Sequence, residues 1–525
     1  MGKKRAAAGG GFRVRLLVAV LAAILVHHLL LTMVQNVLPF PRSFGRAEKI
    51  GTTDTSHALV PVGEGSVAYV NGDSLVVQNG TDGSRQQKKL LLPDPSLKQS
   101  SRFAMVADSI YWIDQNKLFR SQLEGELWGP VRDLGTATAF DVITDGRNVF
   151  LIVSDDRQLR IGRWTDGNMS GWSYLAIQDV TRVKADFHSN GNLLIASLSE
   201  YGVSDKSVWW TEWSPATGQT VRQAKIYSFR LNGGQTVDDF QFAANGGTAC
   251  LFHTVAADGK ESGLHLTQFS LENPGTVQSS EVSIGQNSFR HVSDVQLHKR
   301  PEGELEAAAV ADEQVWMLRF RHGEKIGEER LSAKWEQASH PVFLSSVEGQ
   351  ATGLAWLDRS GSGLFSVLST NDDPVFRNKM NRFRWSDLWQ AMWELPGLLA
   401  GTVYALAACI KWLLPPCLYL AVLRWGRKPT EKPDLHTAIA LGLYLASKLL
   451  FVDQFYAAGT LKFMPGWMTA AGSPYLLAGC ISLLSLAIAG EFWQAKSADS
   501  PARWFFRFAS VDVLNSVLWY GFFIR

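Results

Sequence analysis

Cysteine is scarce, with four in 525 residues, at positions 250, 409, 417 and 480. Three fall in apolar helical stretches and Cys250 stands alone in the polar part, so no disulfide framework can staple that part together. All four read as small apolar fillers. No Cys-x-x-Cys occurs, and the eleven histidines are scattered without a His-x-x-x-His, so no metal is expected. No Gly-x-Ser-x-Gly and no Ser-x-x-Lys in a usable setting supply a nucleophile with its base, so no catalytic residue is assigned. No glycine-rich loop joins a strand to a helix, and Gly9 to Gly11 lie in the N-terminal tail, so no nucleotide or other cofactor is expected. A net charge of +2 gives no reason to expect nucleic acid.

What is present divides unevenly. The mean hydropathy of −0.03 averages two unlike parts. Residues 41–380 are polar and rich in Gly, Ser, Asp and Gln, whereas residues 396–525 are dominated by Leu, Ala, Trp, Phe and Tyr. Ahead of both, Leu16 to Val34 is apolar apart from His27, His28 and Thr32. That is long enough to cross a hydrocarbon core of about 30 Å. Lys3, Lys4, Arg5, Arg13 and Arg15 precede it and no small-x-small cleavage site follows. The pattern reads as an uncleaved anchor over 16–38 behind a cytoplasmic tail over 1–15.

Four further transmembrane helices are expected as a C-terminal bundle within 396–525, at 398–423, 438–456, 475–492 and 508–524. The last is weakened by Asp512 and Asn515. Arg424, Arg427, Lys428 and Lys432 follow the first; Lys496, Arg503 and Arg507 precede the last; the middle loop has only Lys462. Positive loops stay in the cytoplasm, which places the N-terminus inside and both the polar domain and the C-terminus outside. A short basic tail without a disulfide framework suits a bacterial plasma membrane. Between the two parts, over 377–395, Trp385, Leu388, Trp389, Met392 and Trp393 recur at helical spacing, after Arg377, Lys379, Arg382 and Arg384. Such a helix would lie in the outer headgroup layer, with Trp385, Trp389 and Trp393 at the interface and Arg382 and Arg384 near anionic lipid. The same face could instead dock on the polar domain.

Within the polar domain expected over 41–376, the stretch from about Ser56 to Thr370 shows almost no helical periodicity. Short alternating runs are separated by Gly, Asn and Asp turns. Asp141-Val-Ile-Thr-Asp-Gly leads into Val149-Phe-Leu-Ile-Val, and Asp186-Phe-His-Ser-Asn-Gly into Leu193-Leu-Ile-Ala. Asp239 and Asp294 open two more such units, so the starts lie 45, 53 and 55 residues apart. An acidic residue, a strand, a turn and a second apolar strand at this period are the sign of propeller blades, each a small sheet that must stack on its neighbours. Counting starts predicts an all-β domain of six or seven blades, the first at Ala58 to Gln78. A pair of β-sandwiches is the competing fold.

The repeat resembles the β-propeller superfamily. Within it, Leu159-Arg-Ile-Gly-Arg-Trp-Thr-Asp-Gly-Asn-Met-Ser-Gly-Trp-Ser is similar to the strand, Asp-Gly, Trp pattern of lectin-like propellers, and Leu118 to Gly129 is a looser copy. The other blades depart from it, and the bacterial sialidase box Ser-x-Asp-x-Gly-x-Thr-Trp is not met. The resemblance implies fold over about 60% of the chain and carries no residue-level function.

Two sets of side chains stand out. Asp141, Asp186, Asp239 and Asp294 either line the channel and meet a ligand or bond backbone and fix blade geometry. In Trp209-Trp210-Thr-Glu-Trp213, alternation puts Trp210 on one face and Trp209 with Trp213 on the other. One face suits core packing, and the other could leave Trp210 or Trp213 open to a sugar or a protein. In the apolar part, charge inside a membrane is costly and marks function or helix pairing. By depth, Lys411 matches Asp453 and Lys448 matches Asp512, with Asn515 and Ser516 on the same face as Asp512. The expected role is a membrane-anchored extracytoplasmic binding or scaffold module whose partners are the bilayer and an envelope protein or glycan. An envelope enzyme acting on glycan or lipid, and a small transporter or sensor working through the helices, are the alternatives.

Overall fold

The computed structural model describes residues 41–525 except 64, 81–86, 101, 156, 166, 203, 258–260, 286–290, 301–302, 334–335, 346–351, 360–362, 426–432, 457–459, 461–463, 465, 492–500, 522 and 524–525. Before residue 41 it describes only isolated positions, so the anchor expected over 16–38 lies outside the described residues. The chain forms two units, one built from Phe40–Arg382 and one that includes Phe383–Arg525.

The first unit is a seven-bladed β-propeller, which resolves the choice between six and seven. Seven antiparallel sheets follow one another along the chain. Their first, innermost strands are Val60–Val62, Phe103–Val106, Ala139–Thr144, Val180–Phe187, Gln235–Asn245, Val292–Lys299 and Ala338–Ser345. Each lies beside the next, and the last meets the first.

The reason is visible in the second strands. Leu193–Tyr201 is buried along nearly its whole length. Because side chains alternate across a strand, Leu194, Ala196 and Leu198 pack on blade 5 while Leu193 and Ile195 pack on blade 3. A sheet apolar on both faces has to be covered on both. The hydrophobic core is accordingly a set of seams, each drawing residues from two adjacent blades.

Blade 7 takes its outer strand from the start of the domain. Glu48–Thr53 pairs antiparallel with Phe365–Asn371, so the ring is closed by the two ends of the same domain. The helix α1 (Pro374–Met380) follows, capped by Asp373 and buried through Phe376 and Met380. Residues 377–382, expected as a linker, are therefore part of the propeller. Asn381 then clasps the incoming chain: its Nδ2 donates to the carbonyls of Pro41 and Phe44 at 2.9 and 3.0 Å, and its Oδ1 accepts from the Arg46 amide at 2.7 Å. Asn371 sits opposite Gly353, at the end of the blade that carries the turn between first and second strands. The chain enters and leaves the propeller on that face.

The second unit is helical: α2 (Trp385–Trp425), α3 (Pro433–Phe451), α4 (Ser473–Glu491) and α5 (Pro501–Tyr520). The interfacial segment and the first spanning segment, expected as separate helices, are one continuous helix that runs on through Pro396, Pro415 and Pro416. The last helix starts at Pro501 rather than Phe508, so Arg503 and Arg507 belong to its first two turns instead of a loop. Val403–Trp425 and Asp434–Tyr456 are long and apolar enough to cross a membrane, and Ser473–Ala489 is apolar but shorter.

The seam between blades 7 and 1 depends on a missing side chain. A Cβ at Gly51 would overlap the Tyr69 hydroxyl, which is buried in that seam. Gly51→Ala is expected to cost about 1–3 kcal/mol by denaturant titration, and adding Tyr69→Phe should recover part of it. Two substitutions whose effects simply add would show that no such contact limits closure.

Candidate functional site

The four channel aspartates lie on successive innermost strands, Asp239 and Asp294 in bulges near the strand starts and Asp186 near its strand's end, and each reaches across to the next blade. Asp141 accepts from the Ala185 amide at 2.8 Å and from Lys184 Nζ at 3.2 Å. Asp186 accepts from the Ala244 amide at 2.8 Å and from Lys299 Nζ at 2.6 Å. Asp239 accepts from the Val295 amide and from the Thr254 hydroxyl. Asp294 accepts from the His340 amide at 3.2 Å, with His340 Nδ1 3.0 Å from its other oxygen. His340 in turn donates to the backbone of Ser56, ahead of blade 1. The aspartates thus form a belt that fastens blade to blade from the third round to the first.

The belt is electrostatically uneven where blades 5 to 7 meet. Burial, with the nearby Asp294 charge added, pushes Asp239 up to about 7. Burial works against Asp294 too, but its hydrogen bond and ion pair with His340 hold it below the usual carboxylate range. Burial likewise opposes the His340 cation, and the same pairing wins and raises it. Asp294 and His340 both adopt left-handed backbone, at φ 54° and 51°, where their strands slip register. Sequence reading missed His340 because its partner is set by a bulge in a different blade.

The tryptophans are not open to a ligand. Trp210 and Trp213 are 1% and 3% exposed. Trp210 packs in the seam between blades 4 and 5, and Trp213, with Trp209, in the seam between blades 3 and 4. The alternation was read correctly, but both faces of this strand are seams, so the expectation of a free ring fails.

Among the described residues, an accessible cleft of about 390 Å³ lies where the first strands of blades 4, 5 and 6 end. Phe187, His188, Asn245, Lys299 and Arg300 line it, together with the tight turn at Gly246 and Gly247. Both glycines have positive φ with open space around a would-be Cβ, so they are there for the turn and not for close packing. The cations are pre-set by carboxylates. Arg300 bridges Asp372 at 2.6 Å and the fully buried Glu306 at 2.8 Å, and Lys299 pairs with Asp186. The cleft therefore offers fixed donors beside apolar surface, on the face where the chain enters and leaves. The adjacent Lys299-Arg300 pair at the end of the Asp294 unit was the sequence signal for it.

In the helical unit, Lys448 and Asp512 meet as the depth estimate anticipated. Nζ lies 2.7 Å from Oδ2, and the two side chains are 1% and 0% exposed. Tyr444 donates to the same Oδ2 at 2.7 Å; Lys448 also donates to Ser482 at 2.9 Å and Ser516 at 3.0 Å. Lys411 and Asp453 do not pair. Both are exposed, and Asp453 instead accepts from the Tyr475 hydroxyl at 3.3 Å. Trp385 and Trp389 are exposed, as are Arg382 and Arg384, while Asp387 is buried and accepts from the Arg384 amide. The Trp393 side chain lies outside the described residues.

No protein-family model matches the chain, and no curated protein matches it. Solved structures similar to it include the N-terminal domain of Nup159, at 11% identity and a TM-score of 0.38 over 64% of this chain and 98% of that one. The polysaccharide lyase Uly1 matches at 9% identity and a TM-score of 0.42, over 61% and 90%. A protein of unknown function from Dyadobacter fermentans matches at 8% identity and a TM-score of 0.37, over 62% and 98%. The propeller assignment stands on the sheet order, and likeness this distant carries no activity.

Two outcomes test the belt and the seams. With its pKa raised to about 7, Asp239 is protonated in the fold at pH values where the unfolded chain has released that proton. Its contribution to stability is whole below about pH 4 and is lost as pH rises through about 7. Asp239→Asn should flatten that decline in a stability-versus-pH series, and an unchanged slope would show that Asp239 is not its source. Trp210→Ala should lower stability by about 3–5 kcal/mol, as loss of a packed core ring does; a stability near wild type would mean the ring is not core.

Proposed function

We propose that the protein is a membrane-held propeller that works as a binding module of the cell envelope. In this reading the N-terminus is cytoplasmic, the propeller extracytoplasmic, and the C-terminal helices hold it in the plasma membrane. One observation carries it: what the helices bury beside their apolar core and what they expose. They bury Lys448, Asp512, Ser485 and Ser516, yet leave Val403 68% exposed, Leu476 71% and Leu483 68%. In water that surface would be a large unburied apolar patch. In lipid it is the surface expected, with the costly charges turned inward.

The interface residues support the same reading. Trp385 and Trp389 are 75% and 61% exposed, and Phe383 and Val375 are exposed beside Arg382, Arg384 and Lys379. Exposed aromatics with basic neighbours are what a headgroup layer receives. The cleft at Phe187 to Arg300 is the proposed ligand site, and the chemistry it offers, fixed donors next to apolar walls, suits an envelope glycan or a protein loop. An enzyme reading would draw on the channel aspartates, and each of those is engaged in a hydrogen bond to the next blade.

Binding of envelope glycans and protein fragments to full-length protein in detergent tests the proposal. A saturable ligand is expected whose affinity falls at least about tenfold in Lys299→Ala and in His188→Ala, roughly the worth of one charged hydrogen bond. Folded protein that binds nothing on such an array would remove the binding role, and a ligand indifferent to both substitutions would remove the cleft from it.

A further inference from the structure

The ion pair in the helices is satisfied on one side only. Two donors, Tyr444 and Lys448, converge on Asp512 Oδ2. Oδ1 is fully buried and has no hydrogen-bond partner among the described residues. A carboxylate used only to fasten helices has every reason to fill both oxygens, because a bare anionic oxygen away from water carries the full desolvation cost. A neutral acid carries far less of it.

Lys448, by contrast, has more than one way to keep its charge. It donates to Ser482 and Ser516, and its Nζ lies 5.2 Å from the Trp412 ring centroid. A cation over an indole face is stabilised without a counter-ion. The site therefore supports two self-consistent states. In one, Asp512 is ionised and paired with Lys448. In the other, Asp512 is neutral and Lys448 rests on two hydroxyls and a ring. All four long helices contribute: Trp412 from α2, Tyr444 and Lys448 from α3, Ser482 from α4, Asp512 and Ser516 from α5. Among the described residues, the other titratable groups facing the pair are Cys409 from α2 and Tyr520 from α5, which in turn meets Tyr456 just beyond α3. Thiols and phenols are ordinarily uncharged near neutral pH, and on α4 the facing polar groups are serines. Lys411 and Asp453 are exposed and stand apart.

We propose that Asp512 is a proton-binding site: Oδ1 takes up a proton from water and returns it, and Lys448 keeps its own charge throughout. The net charge of the cluster then alternates between zero and one, which changes the attraction between α3 and α5. This centre operates whatever the propeller binds.

The test uses full-length protein in lipid nanodiscs, with the aspartate carboxyl carbons isotope-labelled. Infrared difference spectra over a pH titration read the carbonyl stretch of a buried neutral carboxylic acid. One such band is expected to grow as pH falls and to be absent from Asp512→Asn. Its midpoint should rise by at least about one pH unit in Lys448→Met, since losing the cation disfavours the carboxylate. Tyr444→Phe deletes one donor to Oδ2 at nearly constant volume, and should move the midpoint the same way by less. That variant decides the matter if the charge substitutions fail to fold. A wild-type protein with no such band at any pH where it stays folded would overturn the proposal. So would a band that persists in Asp512→Asn, or one whose midpoint ignores Tyr444→Phe.

Discussion

Each blade of the propeller is apolar on both faces, and from this the rest of the domain follows. A sheet like that of Val180–Arg230 cannot stand in water, because Leu193 to Leu198 faces a neighbour on either side. Stacking defers the problem to the two ends of the stack, and only closure removes it. Closure here joins the ends of the same domain, with Glu48–Thr53 completing the blade begun by Ala338–Ser345. Asn381 then holds the incoming and outgoing chain together, and α1 covers the junction.

The channel shows how closure uses polar groups. An aspartate on an innermost strand has a free carboxylate near the axis, and the neighbouring strand has backbone amides with no ladder partner on that side. Joining them satisfies both and locks the angle between blades. The belt stops being uniform at Asp239, Asp294 and His340, where two carboxylates come close and an imidazole answers one of them. At that sector burial raises Asp239, while at Asp294 burial is overcome by the pairing with His340, which lowers it.

The helices are built on a different balance. In the propeller, leucine and valine fill the seams, and the buried charges Lys206, Glu212 and Glu306 are paired. In the helices, Lys448, Asp512 and several serines are buried beside a core rich in aromatic residues and alanine, and many leucines are exposed. At about 1.5 Å per residue the 41-residue α2 is roughly 60 Å long, about twice a hydrocarbon core. It is longer than a single crossing needs.

The sequence by itself determined whatever depends on local pattern. The Asp-led period of 45 to 55 residues was enough for the propeller, since a period records a repeated unit whatever it packs against. The hydropathy of 396–525 was enough for the helices, and helical rise was enough to match Lys448 with Asp512. Only the tertiary structure decided the rest, because those facts depend on a neighbour that sequence does not name. The seventh blade needs a strand from the other end of the domain. Trp210 and Trp213 are inaccessible because both faces of their strand are seams, which alternation alone cannot tell from one seam and one surface. Lys411 and Asp453 share a depth but point outward, since depth says nothing of direction around a helix. The cleft of Lys299 and Arg300 exists because three strand ends, far apart in the chain, are brought side by side by a ring.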